Sequence, residues 1–365
     1  MKILDRYIGK IVGISILVVL AALVAVFAFF QFIDELEDLG RGRYGVAQVA
    51  EFVLLSTPRL AYEIFPMSAL VGSLIGLGSL VGSNEMTVIR AAGVSLARIT
   101  LSVMKAGAAI MVGAVLLGEF IAPPSEQLAQ HRRSVATTDR IALKTRNGFW
   151  ARDGRSYVNI RKILPGDRLE NIFIYEFDGQ NRLAVSSRAK RARYEEDQWI
   201  LEDIEQTLFK PERVTKHRIK QARWDSMLDP GLISLVVIRP DSLSMGDLYK
   251  YIRFLSQNEQ NSQQYRQAFW HKIIYPVATA VMVFLAIPIV LVTARSGGVG
   301  QRIVLGALIG LVFHIANKAA ANLGMVYSLP PGLCVTFPTL LTFGVALFLM
   351  RKLAFSPGSR LSHRV

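Results

Sequence analysis

The sequence predicts an α-helical membrane protein with six transmembrane helices and an all-β, jellyroll-like domain inserted between the third and the fourth. The mean hydropathy of the 365 residues is +0.34 although the net charge is +14. Such a pair of values arises when apolar residues gather in long blocks and charged residues gather elsewhere. The apolar blocks lie towards both ends of the chain, and the polar stretch between them contains β-branched and aromatic runs.

Six runs with few or no charges are long enough to cross a bilayer, which takes about 20 residues. The first is too long for the core of a signal peptide and lacks a cleavage site, so we interpret it as an uncleaved span. Pro123-Pro124 is expected to end the third span, and Pro330-Pro331 to separate the last two. The predicted spans are residues 11–33, 64–83, 99–121, 273–294, 303–326 and 333–350.

Basic residues in the short connections predict the orientation, because Lys and Arg are retained on the cytoplasmic side of a membrane. They occur before the first span and after the second, fourth and sixth spans. Because an even number of spans separates each of these four positions from the next, all four lie on one side of the membrane. We therefore expect cytoplasmic termini and an insert outside the cytoplasm. The markers are Lys2, Arg6, Lys10, Arg90, Arg98, Arg295, Arg302, Arg351, Lys352, Arg360 and Arg364.

Residues 125–265 are predicted to form the inserted domain, between membrane parts at 1–124 and 266–365. GFWARDGRSYVNIRKIL predicts a hairpin around Asp153-Gly154, and ENIFIYEFD predicts a strand followed by a turn at 179–181. Short strands without helical periodicity favour a sandwich or a jelly roll. Ser244 and Asp247 then predict the start of a returning helix.

The sequence contains no motif for catalysis, a cofactor or a metal. The phosphate-binding pattern G-x-x-x-x-G-K-[ST] and the zinc pattern H-E-x-x-H are absent, so we expect no enzyme and no ATP site in this chain. Cys334, the single cysteine, and the scattered histidines lack metal-like neighbours. The basic excess favours anionic lipid over nucleic acid, because basic and aromatic residues are not interleaved in a recognised nucleic-acid-binding pattern.

The segment NEMTVIRAAGVSLARI, residues 84–99, is predicted to form a short amphipathic helix between the second and third spans. Two interpretations remain open. The helix lies on the inner leaflet, or it docks into a groove of a cytoplasmic partner. Its apolar positions are Met86, Ile89, Gly93 and Leu96, and its charged positions include Glu85 and Arg90.

Four stretches carry a resemblance to a known family: LDRYIGKIVG, PRLAYEIFPMSALVGSLIGLGSLVGSNEMTVIRAAGVSLARI, LAIPIVLVTARSGGVGQRI and VYSLPP. They resemble the lipopolysaccharide export permeases LptF and LptG, and the opening stretch is more similar to the G member. The resemblance implies a permease subunit of an ABC-type exporter in the bacterial inner membrane. Such an exporter extracts lipopolysaccharide from the outer leaflet of that membrane and passes it to a periplasmic bridge.

The resemblance also implies the partners. They are the paralogous permease LptF in a heterodimer, two copies of the cytoplasmic ATPase LptB, the single-span LptC and the periplasmic LptA bridge. The inserted domain is then a periplasmic jellyroll-like domain, and no cofactor or nucleic acid takes part.

Three groups of site residues follow from the resemblance. Where relatives often have lysines at the outer end of span one, this chain has Gln31, Glu37 and Asp38, for which Arg41 and Arg43 would compensate. The segment 84–99 matches the family's coupling helix, with ATPase contacts expected from Glu85, Met86, Arg90 and Gly93. Lipopolysaccharide phosphates are expected at Arg59, Arg132, Arg133, Gln31, Arg41 and Lys318. Acyl chains are expected at Phe27, Phe30, Phe65 and Leu70.

Two other functions remain open. A membrane-anchored periplasmic scaffold would need no ATPase dock. A lipid transporter not driven by ATP would need ionisable groups at membrane depth, and His314 and Lys318 lie one turn apart in the fifth span. Alternatively, Lys318 lies near the outer interface and extends its amine to water.

Overall fold

The computed structural model describes residues 3–137, 143–153, 155–164, 168–180, 182–195, 198–210, 213–224, 240–258, 260–292 and 298–354. The chain forms two compact units. The transmembrane unit contains Met1–Glu35, Val53–Glu126 and Gln263–Val365. The sheet unit contains Leu36–Phe52 and Gln127–Ser262.

Six helical segments among the described residues are long and apolar enough to cross a membrane, which confirms the predicted number of spans. Each begins before its predicted apolar run. The helices are α1 Ile3–Glu35, α2 Val46–Gly82, α3 Glu85–Ala91, α4 Leu96–Leu116, α5 Ala122–Thr137, α6 Met245–Gln257, α7 Gln263–Val292, α8 Val299–Val326 and α9 Pro331–Ala354.

The helix does not end at Pro123-Pro124, the predicted end of the third span. A π-helical turn at Leu117–Ile121 follows α4, and the chain then continues as α5 to Thr137. The prolines lie in the first turn of α5, directly after the π-helical turn, and the helix continues beyond them.

Helices α2 and α7 contribute most to the interior of the transmembrane unit. Gly72 of α2 lies so close to α1 that a Cβ atom there would be 2.7 Å from the backbone nitrogen of Ile16. Small residues allow such close approach in lipid, where van der Waals packing holds helices together. The fully buried core includes Ile8, Val12, Ile16, Leu70, Leu74, Val103, Met282 and Val283.

The sheet unit contains one antiparallel sheet of six described strands, paired in sequence order from β1 to β6. This confirms an inserted all-β domain between the third and fourth spans. The predicted hairpin joins β1 and β2, with Asp153 opposite Ser156; Gly154 and Asn181 lie outside the described residues. The strands are Leu143–Asp153, Ser156–Leu164, Arg168–Phe177, Leu183–Glu195, Gln198–Lys210 and Arg213–Trp224.

The register of the sheet separates an apolar face from a polar face. Strand pairing places Val158 opposite Ile174 and Ile160 opposite Ile172, and these side chains are buried. The residues next to them along each strand point to the other face, which carries charged, polar and aromatic side chains. After the sheet, α6 begins at the predicted cap, where the Ser244 side chain accepts a hydrogen bond from the Asp247 backbone N–H at 3.1 Å.

Candidate functional sites

The predicted helix over 84–99 is divided in the structure. Helix α3 ends at Ala91, Gly93 adopts a left-handed conformation with φ +83°, and Ser95 caps the N-terminus of α4. A β-carbon at Gly93 would be strained in this conformation, so the glycine provides the turn. The coupling segment is therefore a short helix of seven residues followed by a turn.

The apolar face of α3 points into the transmembrane unit. Met86 is 5% exposed and belongs to the hydrophobic core, with Ile89 packed against it. Thr87, Val88 and Arg90 are exposed, and Val88 retains 66% of its accessible surface. The outward surface available to a partner is therefore centred on Val88, which the sequence interpretation did not single out.

Glu85 is held by its own chain. The Tyr7 hydroxyl donates a hydrogen bond to one carboxylate oxygen at 2.6 Å, and the Ser83 hydroxyl donates to the other at 2.8 Å. The Tyr7 hydrogen bond, followed by that of Ser83, holds the pKa of the Glu85 carboxyl below its ordinary value of 4.5. Glu85 therefore connects the start of α1 to α3.

Two further polar contacts connect helices near α3. Asp5 of α1 accepts hydrogen bonds from Ser102 at 2.6 Å and from the Lys105 ammonium at 2.9 Å. Arg302 was expected in a loop, but it lies in the first turns of α8 and is 5% exposed. Its guanidinium donates to the carbonyl oxygen of Gly78 at 2.8 Å, so it joins α8 to α2.

Arg59 lies in the transmembrane unit between two carboxylates. Its guanidinium is 2.7 Å from Glu63 and 3.2 Å from Glu126, whose side chain is only 2% exposed. A buried carboxylate requires such a charged partner, because an uncompensated charge is costly away from water. A phosphate could reach Arg59 only in competition with these two acidic side chains.

A polar cluster at the π-helical turn was not predicted. The Lys272 ammonium donates to the carbonyl oxygen of Gly118 at 2.9 Å and lies 3.1 Å from the Glu119 carboxylate. The Tyr275 hydroxyl donates to the carbonyl oxygen of Glu63. π-Helical turns are rare and often occur at functional sites. In the sequence, Glu119 lies near the end of the third apolar run and Lys272 directly before the fourth. No local pattern indicated that these two charges pair.

The other predicted arginines are paired within the sheet unit. Arg41 and Arg133 both form ion pairs with Asp38, and Arg133 also lies over the Phe52 ring. Arg132 forms an ion pair with Glu51. Asp38, which stands where relatives often have a lysine, therefore holds both Arg41 and Arg133.

The remaining predicted residues fall into exposed and buried groups. Phe27 and Phe30 are 41% and 57% exposed, whereas Phe65 and Leu70 are 6% and 0% exposed. Phe65 and Leu70 are thus corrected to core residues, since a side chain packed inside the helices presents no face to an acyl chain. Gln31 is half-buried, and Lys318 is exposed without an ion pair to any described residue.

The described residues contain no group of three or more His, Cys, Asp and Glu side chains that could hold a metal ion. Six long apolar helices, with an antiparallel sheet inserted between the third and the fourth, define a multi-pass membrane protein with an inserted β domain. Among the residues that the structure describes, its distinctive polar contacts join one helix to another.

The chain matches the family described as lipopolysaccharide export system permease LptF/LptG over residues 6–352, and it belongs to this family. It is 34% identical to the lipopolysaccharide export system permease protein LptG of Haemophilus influenzae, over 93% of this chain and 95% of the relative. It is 32% identical to the LptG protein of Escherichia coli strain K12, over 96% and 98%. Membership and the six apolar helices together support a multi-pass protein of the inner membrane.

Proposed function

We propose that this chain is an LptG-type permease subunit of a lipopolysaccharide exporter. The observation that carries the proposal is the similarity to two LptG proteins over more than nine-tenths of the chain. In this proposal lipopolysaccharide leaves the outer leaflet of the inner membrane through a path formed with the paralogous permease LptF. It then passes through LptC to the periplasmic LptA bridge.

A separate cytoplasmic ATPase, two copies of LptB, supplies the energy in this proposal. The exposed face of α3 around Val88 and Arg90 is the docking surface, and both chain termini lie on the same cytoplasmic side. Two contacts join the docked helix to the spans. Met86 packs in the hydrophobic core, and the Glu85 carboxylate accepts a hydrogen bond from Tyr7. A displacement of α3 by the ATPase would therefore be transmitted to α1.

The substrate surfaces follow the exposed side chains. Phe27 and Phe30 would contact acyl chains, and Gln31 and Lys318 offer polar groups to the headgroup. Arg59, Arg41, Arg132 and Arg133 would bind phosphates by exchanging a carboxylate partner for a phosphate, since guanidinium binds both in the same forked geometry. This exchange would let the same residues act in the empty and loaded states.

The docking surface is tested with Val88→Glu in the complex purified with its ATPase. A buried charge at the centre of an interface costs about 2 kcal/mol or more, so we expect at least roughly tenfold less ATPase in the complex. Val46→Glu is the matched control, because Val46 is 58% exposed at the opposite end of α2. Undiminished ATPase recovery with Val88→Glu would favour the scaffold.

The proposed phosphate contacts of Arg59, Arg132 and Arg133 are tested by measuring the lipopolysaccharide that copurifies with the protein. Arg59→Ala alone would remove a partner of buried Glu126, so the variant is Arg59→Ala with Glu126→Gln, combined with Arg132→Ala and Arg133→Ala. We expect an assembled protein that retains several times less lipopolysaccharide, and Arg218→Ala as a control that retains the normal amount. Normal retention in the multiple variant would assign these arginines to ion pairing within the chain.

A further inference from the structure

The polar face of the sheet carries a cleft of about 560 Å³ that the proposed path does not use. It lies where β1, β2 and β3 approach their hairpin ends. Its size is in the usual range for a small-molecule site. The lining residues are Trp150, Arg152, Arg155, Tyr157, Tyr175 and Phe177.

The walls of the cleft are exposed aromatic rings. The Trp150 and Tyr175 rings stack with their centroids 5.9 Å apart and their planes 20° apart, while Tyr157 meets Phe177 edge to face at 5.5 Å. Trp150 and Tyr157 are 53% and 42% exposed. Strand alternation places them opposite the apolar face, so the core does not need them. A cluster of exposed aromatic rings is typical of a binding surface.

Two guanidinium groups complete the cleft. The guanidinium carbon of Arg152 lies 5.9 Å from the centroid of the Tyr157 ring. Arg155, in the turn between β1 and β2, is exposed and forms no ion pair with a described side chain. Its backbone carbonyl accepts a hydrogen bond from the Phe177 N–H at 3.2 Å, which fixes the turn against the end of β3. Positive charge is thus available at the rim.

Asp178, directly after β3, accepts hydrogen bonds beside the cleft. The Asp178 carboxylate accepts backbone hydrogen bonds from Gln180 at 2.8 Å and from Arg182 at 2.9 Å. These backbone donors hold the pKa of Asp178 below its usual range, so the turn keeps its charge and its shape at neutral pH. These hydrogen bonds and that between Phe177 and Arg155 are made without a ligand, so fewer groups at this end of the sheet have to be ordered on binding.

The chemistry of the cleft selects an anionic saccharide. The C–H face of a pyranose packs against an aromatic ring, and a guanidinium binds a phosphate or carboxylate through paired hydrogen bonds. An acyl chain needs neither the charges nor the stacked rings. An acidic peptide would use the charges but would leave the flat Trp150–Tyr175 surface without a matching partner.

We propose that this cleft binds a phosphorylated saccharide, with the sugar on Trp150 and the phosphate at Arg155. The chemical class follows from the cleft, whereas the source of the saccharide rests on the proposed function. In an exporter of lipopolysaccharide the ligand is the phosphorylated core oligosaccharide. The sheet would then hold the sugar part of the molecule, separately from the residues proposed to contact acyl chains.

The test measures saturable binding of acyl-free, phosphorylated core oligosaccharide to the full chain in detergent, by saturation-transfer NMR titration. Loss of one stacking surface weakens binding by about tenfold, which we expect for Trp150→Ala. Arg155→Ala should weaken the phosphorylated ligand by a similar factor and leave its dephosphorylated form unchanged. Arg155 is exposed, so this second variant keeps the test informative if Trp150→Ala folds poorly.

Matched controls and competitors separate the alternatives. Arg218→Ala, on the same face at the far edge strand, and Tyr249→Ala, on α6, should bind as the unaltered chain does. Inorganic phosphate should compete weakly. The saccharide site would be overturned if Trp150→Ala and Arg155→Ala bound the oligosaccharide as tightly as the unaltered chain does. It would also be overturned if a polyglutamate peptide bound the unaltered chain as tightly as the oligosaccharide does.

Intact lipopolysaccharide distinguishes failure of this proposal from failure of the proposed function. If the chain retains intact lipopolysaccharide but does not bind the acyl-free oligosaccharide, the cleft is not a saccharide site and the export function stands. If the chain within its complex retains no lipopolysaccharide while the oligosaccharide binds at Trp150, the cleft proposal stands and the proposed transport function fails.

Discussion

The two units of this protein arrange apolar residues by different rules. In the transmembrane unit apolar side chains lie outside as well as inside; Phe29 is 62% exposed, whereas polar Ser68 and Thr279 are fully buried. In the sheet unit buried residues alternate with less buried ones, as in β3, where Ile172 and Ile174 are buried and Phe173 between them is only half-buried. In lipid, hydrophobicity therefore does not distinguish inside from outside, and packing and polar contacts decide. In water, alternation alone separates the faces.

The largest expected change in unfolding free energy is that of the sheet on loss of a buried apolar side chain. Ile172→Ala removes a side chain that is 0% exposed, so we expect the sheet to lose about 2–5 kcal/mol of unfolding free energy. Denaturant titration of the full chain, followed by near-UV circular dichroism, measures this loss. Val214→Ala is the control, since Val214 is 61% exposed on the edge strand β6 and should change stability little.

The transmembrane unit should respond instead to the addition of one carbon atom. Gly72→Ala places a Cβ atom 2.7 Å from the Ile16 backbone nitrogen, so α1 and α2 must separate, at a cost of about 1–3 kcal/mol. Thermal unfolding in detergent measures the change. Gly82→Ala adds the same atom to the same helix, where nothing lies within 4 Å, and should not destabilise the protein. If Gly72→Ala and Gly82→Ala have the same melting temperature, close packing at Gly72 does not contribute to stability.

Polar contacts in the transmembrane unit should have effects of intermediate size. Lys272→Met removes the hydrogen bond to Gly118 and leaves Glu119 without this cation, for which we expect a loss of about 1–2 kcal/mol. Adding Glu119→Gln should recover part of the loss because no carboxylate then needs compensation. Lys318→Met makes the same chemical change at an exposed position and should be neutral. A double variant no better than Lys272→Met would contradict the pairing.

The smallest expected effect is the pH dependence of the contact between α1 and α3. The pKa of Glu85 is lowered in the folded protein, so its contribution to stability is present above the ordinary value of 4.5 and is lost as the pH falls through the folded value. A double-mutant cycle of Tyr7→Phe and Glu85→Gln should show coupling in melting temperature at pH 7. The coupling should be smaller at pH 3 than at pH 7, because protonation of Glu85 removes the charge that the hydrogen bond from Tyr7 stabilises. Equal coupling at both values would mean that the charge of Glu85 is not involved.

The sequence by itself determined the number of spans, the place of the inserted domain and the cap at Ser244. These follow from local quantities, namely the length of an apolar run against the thickness of a bilayer, strand alternation, and a side chain that reaches its own backbone. The two halves of the predicted helix at 84–99 illustrate the limit. Both have helical spacing, and periodicity gave no sign of the left-handed turn between them at Gly93.

Only the tertiary structure decided which face of α3 is outward, which carboxylates hold Arg59, and that the chain continues helically through Pro123-Pro124. Each depends on contacts between distant positions: Tyr7 and Glu85 are 78 residues apart, and Lys272 and Gly118 are 154 apart. The energy of such a pair depends on distance and burial in three dimensions, and residue type alone specifies neither. The four arginines that looked free for a phosphate, Arg41, Arg59, Arg132 and Arg133, were therefore already paired within the chain.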